Sequence, residues 1–145
     1  MADRIREEMQ RFNYLANEID AAYHEAALKI GLSDSVMLIL YTIYYSGGTC
    51  LLSDVTYLSG VSKQTINSAL RKLEQECILY LEAYQGRKKK ICLTDKGKAL
   101  AKDTVLRVIN IENDIFASWT EAERSLYIEL TRRYLSSFKE KIKEL

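Results

Sequence analysis

The sequence predicts a mainly α-helical fold with one small β-hairpin. Apolar residues recur at steps of three and four over most of the chain, which is the period of helices with one buried face. The 145 residues include no proline, so nothing prevents long, uninterrupted helices. Two short runs, residues 78–84 and 90–93, depart from this period and flank a polar loop, a pattern typical of a β-hairpin. The expected order is helix, helix, short helix, helix, hairpin, long helix, long helix.

Length and composition are those of a single globular domain over residues 1–145. The chain is 48% hydrophobic and 28% charged, which is enough apolar material for a core. No stretch approaches the roughly 20 consecutive apolar residues of a membrane helix. The N-terminus mixes charges where a signal peptide has its apolar centre. We therefore expect a cytoplasmic protein without a membrane segment.

The cysteines and the single histidine indicate no disulfide, metal or cofactor. Cys50, Cys77 and Cys92 are odd in number and far apart, which argues against a disulfide framework or a zinc finger. His24 with Glu25 beside it does not make a metal site. Cys77 and Cys92 fall on apolar stripes and are predicted to be buried and inert. Cys50 remains as a weak candidate for sensing oxidants.

Two helices are predicted before residue 48. The first carries an apolar seam for about seven turns and ends at Gly31. Ser33 is the expected N-cap of the second helix, which ends at Gly47-Gly48 and, being apolar on most sides, should be central to the fold. The seam of the first helix consists of Ile5, Met9, Phe12, Ala16, Ile19, Tyr23, Ala26 and Ile30.

Residues 51–77 have the layout of a helix-turn-helix. A short helix is followed by a turn at Gly60 and by a second helix with Ser62 as its N-cap. The second helix has an apolar stripe from Ile66 to Cys77, and its polar face, which includes Lys72, is suited to the DNA major groove. The alternative is an ordinary helical hairpin with a solvated face. The predicted DNA contacts are Ser62, Lys63, Gln64, Thr65, Asn67, Ser68 and Arg71.

The predicted hairpin carries four consecutive cations, Arg87 to Lys90. Their mutual repulsion contributes nothing evident to folding, whereas a wing that lays cations along DNA phosphates makes use of it. Residues 62–97 hold 8 basic and 4 acidic side chains, a net charge of +4, against −4 for residues 1–61 and +1 for residues 98–145. Arg87, Lys88 and Lys89 are therefore predicted DNA contacts. The alternative is a lysine-rich edge strand that prevents aggregation.

Two long helices are expected after the hairpin. Thr94 is the N-cap of one that runs to about Ala117, and Thr120 to Glu123 form a capping box for the last. A small winged lobe cannot cover the apolar faces of the terminal helices, so a partner subunit is expected to bury them. The sequence thus predicts a winged helix-turn-helix lobe at 33–97 between dimerisation helices at 1–31 and 98–145.

Three motifs resemble the MarR (multiple antibiotic resistance regulator) family of winged helix-turn-helix transcription regulators. They are Val61-Ser62-Lys63-Gln64-Thr65-Ile66, then Leu73-Glu74, then Ile91-Cys92-Leu93-Thr94-Asp95-Lys96-Gly97. The resemblance covers nearly the whole chain. Gln85-Gly86-Arg87 stands where the family has Asp-Arg-Arg, so Arg87 alone inherits the wing-tip arginine. Cys77 stands where the family usually has glycine, and Thr56 where it has alanine.

The resemblance implies a homodimer that binds a pseudo-palindromic DNA operator, usually as a repressor released by a small aromatic effector. The effector pocket is expected between the dimer helices and the DNA-binding lobe. Tyrosines at helical spacing are also common core residues, which is the competing interpretation of that set. The candidate pocket residues are Tyr23, His24, Tyr41, Tyr44 and Tyr45.

An enzyme is not expected, because the chain has one histidine, no glycine-rich phosphate loop and no nucleophile motif. The competing hypothesis is a winged-helix dimer that binds a protein partner and has weak or lost DNA binding. The altered wing tip favours that alternative, and the basic segment 62–97 opposes it.

Overall fold

The computed structural model describes residues 1–59 and 61–145, apart from the side chains of residues 58 and 59. The predicted turn at Gly60 and the packing of Leu58 lie outside this description. Two compact units are present, Met1–Val108 and Ile109–Leu145. The described elements are α1 (Ala2–Lys29), α2 (Asp34–Tyr45), β1 (Thr49–Leu51), α3 (Leu52–Ser59), α4 (Lys63–Gln75), β2 (Leu79–Ala83), β3 (Lys89–Leu93), α5 (Asp95–Asp103), α6 (Val105–Ala117) and α7 (Glu121–Ile142).

The core of the first unit is built around α2, as its sequence predicted. Ile39, Leu40 and Ile43 of this helix are completely buried. The helix contacts α3, α4, α5 and β1, so its apolar faces are covered on several sides. Full burial of such side chains stabilises the fold by about 1.5–3 kcal/mol each. Helices α3 and α4 and the strands β1 and β3 thus pack against one central helix.

All four predicted N-caps are confirmed. The hydroxyl oxygens of Ser33 and Ser62 accept the N–H groups of Val36 and Thr65, each at 3.2 Å. Thr94 accepts the N–H of Gly97 at 3.0 Å. Thr120 accepts from Glu123, whose carboxylate accepts the Thr120 N–H at 2.8 Å, which completes the capping box. Each cap satisfies a backbone donor that the helix itself leaves unpaired.

The predicted hairpin is present, and it belongs to a three-stranded antiparallel sheet with the order β1-β3-β2. Strand β1 was not predicted. It pairs Cys50 with Ile91 of β3, while Leu81 of β2 pairs with the same Ile91 from the other side. The Gly48 carbonyl accepts the Leu93 N–H at 3.0 Å and extends this pairing into the glycine turn. A three-residue strand is too short to show the alternation by which strands are detected.

The prediction of a single helix from Thr94 to Ala117 is wrong, because the helix is interrupted at Thr104. This buried residue has φ −123° and ψ −85°, outside the helical region. Its hydroxyl donates to the Leu100 carbonyl at 2.7 Å, and its N–H donates to the Ala101 carbonyl at 3.3 Å instead of continuing the α-helical pattern. Helices α5 and α6 are therefore separate elements.

The long helices α1 and α7 keep their apolar stripes exposed within the single chain. Ile5, Phe12 and Ile19 of α1 are 57%, 48% and 49% exposed. Helix α7 has no buried residue, and Phe138 is 52% exposed. No single helix in the described part of the chain is both long and apolar enough to cross a membrane, although α1 and α2, bent by 89° at their junction, meet that test as a pair.

Candidate nucleic-acid interface

Helix α4 separates a buried face from an exposed polar face, as its sequence predicted. Ile66, Ala69, Leu70 and Leu73 are buried in the core of the first unit. The seven predicted contact residues lie away from this stripe, and six of them are exposed, with Asn67 half-buried. The hydroxyl of Ser62 also lies 2.8 Å from that of Thr65, so these two side chains order the first turn of the helix. The polar face is thus presented on a fixed, capped helix.

The exit from α4 is tied to the base of the hairpin. Cys77 follows the helix with a φ of 59°, a left-handed conformation that favours glycine. Its carbonyl accepts a hydrogen bond from the Thr94 hydroxyl at 2.6 Å, and the Glu76 carbonyl accepts one from Lys96 Nζ at 2.9 Å. These contacts of Thr94 and Lys96, which come directly after β3, join the base of the hairpin to the end of α4.

The wing tip has its own tight turn. The Tyr84 N–H donates to the Lys88 carbonyl at 2.9 Å, and Gly86 turns the chain with a φ of 67°. Arg87, Lys88 and Lys89 are exposed, and Lys90 Nζ lies 5.3 Å from the centre of the Tyr84 ring, within reach of a cation–π interaction. Arg87 and Lys88 in the turn and Lys89 at the start of β3 are thus exposed cations, while Lys90 faces the Tyr84 ring. Arginine at Gly86, as in the family motif, would have to adopt a strained backbone here.

The candidate effector residues lie on α1 and α2 and differ in their exposure. Tyr23 and Tyr45 are exposed, and Tyr41 stacks on Tyr45 with ring centres 5.7 Å apart. His24 Nδ1 lies 2.9 and 2.8 Å from the two carboxylate oxygens of Asp34, which joins α1 to α2. Tyr44 is half-buried against the core. None of the five residues lines the open concavity on α1 or the one between α4 and the start of α2.

The thiols differ from the prediction in two of three cases. Cys77 is exposed rather than buried, because it ends the apolar stripe beyond the last turn of α4. Cys50 is buried, and burial, followed by the charges of Asp54 and Cys92, raises the pKa of its thiol to about 11. Since the thiolate is the reactive form, Cys50 is a poor oxidant sensor. Cys92 is buried as predicted, with its Sγ 3.6 Å from Glu82. The described residues contain no cluster of three or more metal-binding side chains.

Native protein should therefore react with a thiol reagent such as DTNB once per chain, at Cys77 and not at Cys50. The exposed position of Cys77 gives the reagent access, whereas Cys50 is buried and protonated at neutral pH. Peptide mapping after brief labelling identifies the site. Cys77→Gly should abolish the reaction without loss of stability, because glycine relieves the positive φ. Rapid labelling of Cys50 in folded protein would contradict this assignment.

No family model matches the sequence, and no curated protein matches it either. Solved structures do match. NMB1585, a MarR family regulator from Neisseria meningitidis, has a TM-score of 0.84 at 16% identity, over 94% of this chain and 97% of that one. The chain has the MarR family fold. MepR from S. aureus, in a complex with DNA, matches with a TM-score of 0.66 at 18% identity, over 89% and 96%. BpsR from Bordetella bronchiseptica, whose DNA binding is regulated by 6-hydroxynicotinic acid, matches with a TM-score of 0.63 at 20% identity. The match covers 86% of this chain and 98% of that one.

The match confirms the predicted winged helix-turn-helix plan with long helices at both ends. In this fold α4 is the second helix of the helix-turn-helix, and β2 and β3 form the wing. The sequence identified the polar face of α4 and the basic tip because their residues lie next to one another in the chain. It did not reveal that α4 shares an open groove with the start of α2, since that proximity depends on tertiary packing.

Proposed function

We propose that this chain is a sequence-specific transcription regulator that binds duplex DNA as a homodimer. The observation that carries the proposal is the fixed pairing of a capped, polar recognition helix with a wing whose tip presents three cations. The contacts of Thr94 and Lys96 with the end of α4 keep the two elements in register. Side chains of α4 then read base edges, and the wing contacts the flanking phosphates or minor groove. The DNA complex of MepR, which shares the fold, supports this use.

The direct test is selection of bound duplexes from a randomised library, followed by measurement of affinity by fluorescence anisotropy. We expect a pseudo-palindrome with half-sites roughly 10 bp apart, since a two-fold dimer places two recognition helices one turn apart. Failure to enrich any sequence, with binding no tighter than to random duplex, would contradict sequence-specific regulation. It would favour the alternative of a protein-interaction module, for which the Gln85-Gly86 tip is the supporting feature.

The dimer is expected to form through the apolar stripes of α1 and α7. Phe12→Asp or Phe138→Asp should yield monomers or insoluble protein, because each places a charge on a stripe that a partner subunit would bury. Tyr57→Asp is the matched control: Tyr57 is 80% exposed on α3, outside both stripes, and the variant should remain dimeric. Sedimentation velocity distinguishes the species. A well-folded wild-type monomer at micromolar concentration is incompatible with the proposal.

We further propose that the regulator is a cytoplasmic repressor released by a small aromatic effector. BpsR, with the same fold, responds to such a compound. The pocket would form between the dimer helices and the DNA-binding lobe, with Tyr23, His24, Tyr41, Tyr44 and Tyr45 nearby. Because binding linkage is reciprocal, an effector that releases DNA must itself bind more weakly to the DNA complex. Equal calorimetric affinity with and without DNA would exclude release by the compound tested.

A further inference from the structure

An open groove of about 430 Å³ lies between the recognition helix and the start of α2. It adjoins the predicted DNA face of α4. Gln64, Thr65 and Ser68 belong both to that face and to the groove. The groove is lined by the N-cap residue Ser33, by Ser35 and Val36 from α2, and by Gln64, Thr65, Ser68, Ala69 and Lys72 from α4.

The lining of this groove suits an anion. It holds four hydroxyl groups, one amide and the Lys72 ammonium, and no carboxylate. Ser33 Oγ accepts the Val36 N–H as the cap of α2, so its own hydroxyl proton remains available to donate, with Ser35 Oγ 3.4 Å away. Helix α2 also contributes the positive end of its dipole. The nearest acidic side chain in sequence, Asp34, is engaged instead with His24 of α1.

We infer that this groove seats a backbone phosphate of the DNA that the recognition helix enters. The inference rests on the proposed DNA binding and extends its contact surface from α4 and the wing to α2. A phosphate is the occupant that fits, because the groove is continuous with the DNA face through Gln64 and Ser68 and pairs a cation with several hydroxyl donors. Lys72 and Ser35 then act as positioning residues that set the register of α4 in the major groove. They carry no base preference of their own.

Two variants test the inference on the full-length protein, with a fluorescein-labelled duplex recovered by selection and a duplex of random sequence. Lys72→Gln should weaken binding to both duplexes about tenfold per protomer near 0.1 M salt. The slope of log affinity against log salt concentration should become shallower by about 0.9 for each lost contact. Ser35→Glu should weaken binding at least as much, because it places a carboxylate against the phosphate. It should leave Tm unchanged or higher, because an acidic residue suits the first turn of a helix. Lys102→Gln, an exposed cation on α5 outside the groove, is the matched control.

The outcomes separate the inference from the function on which it rests. Normal binding by wild type, loss in Arg87→Ala, and no difference between Lys72→Gln, Ser35→Glu and Lys102→Gln would overturn the groove while leaving DNA binding intact. Absence of duplex binding by wild type would remove both. Loss in Lys72→Gln and Ser35→Glu alone, with equal effects on the selected and the random duplex, supports a phosphate contact. A changed base preference in either variant would overturn the positioning role.

Discussion

Gly97→Ala should destabilise the protein by about 3–5 kcal/mol, a large part of the stability of a small domain. A Cβ at this position would lie 1.9 Å from the Ile78 carbonyl oxygen. This is a backbone atom, so it cannot move away by a change of side-chain rotamer. The same oxygen accepts hydrogen bonds from the N–H and the hydroxyl of Thr94. Moving it would break contacts that join the end of α4 to the wing. Urea or thermal unfolding followed by circular dichroism measures the loss.

Helix propensity alone predicts that Gly97→Ala stabilises the protein. Gly97 lies in the first turn of α5, where alanine would ordinarily be favoured by about 1 kcal/mol. Overpacking against backbone outweighs that gain. Gly47→Ala is the control: its φ is 88°, but a Cβ there meets nothing within 4 Å, so only a conformational cost of about 1–2 kcal/mol applies. If Gly97→Ala is no worse than Gly47→Ala, the close approach to Ile78 does not exist in solution.

Local chemistry explains why most of the fold was predictable. The caps at Ser33, Ser62, Thr94 and Thr120 depend on a side chain bonding to a backbone group three residues on, so the sequence contains all that is needed. The apolar period of α4 likewise follows from residues one turn apart. The Leu-Thr-x-x-Gly motif correctly indicated the fold, and the contact between Gly97 and Ile78 gives a physical reason for the glycine of this motif.

Features that depend on tertiary pairing were not predictable in the same way. Strand β1 exists because Thr49 to Leu51 lie beside β3, not because three residues favour a strand. The break at Thr104 interrupts a sequence rich in helix formers, so helix propensity gives no sign of it. Cys77 continues an apolar period in sequence, yet the helix ends at Gln75 and a left-handed turn exposes the thiol.

The sequence predicted two parts of the candidate site, the polar face of α4 and the wing cations, but not the groove beside α4. The polar face of α4 and the cations of the wing are contiguous in sequence. The groove that links Lys72 to Ser35 joins residues 37 positions apart, which only the packing of α2 against α4 brings together. The wing tip was recognised by charge, but its turn was not, since Gly86 adopts a positive φ that a charge pattern does not reveal.

Loss of the wing cations should produce the largest change in DNA affinity. Replacing Arg87, Lys88 and Lys89 together with alanine removes three exposed cations from each protomer. Each lost phosphate contact makes the negative slope of log affinity against log salt shallower by about 0.9, so even four lost contacts per dimer give roughly a 10³- to 10⁴-fold loss near 0.1 M salt. The loss should be similar for all sequences, because phosphates carry no sequence information. Anisotropy titrations at several salt concentrations provide both values, and Arg87→Ala alone should show a smaller change in the same direction.

Gln64→Ala on α4 is the variant to compare with the triple wing variant. It should change the affinity for one sequence, whereas the wing variant should weaken binding to all sequences. If Gln64 contacts a base edge, the variant loses about 1–3 kcal/mol on the selected duplex, little on random duplex, and keeps its salt slope. The two variants together separate base reading from phosphate binding on two elements that the Thr94 and Lys96 contacts hold in register. An unchanged affinity and salt slope in the triple wing variant would mean that the wing does not touch DNA. The exposed tip would then be better explained as a surface for a protein partner, with Gly86 shaping its turn.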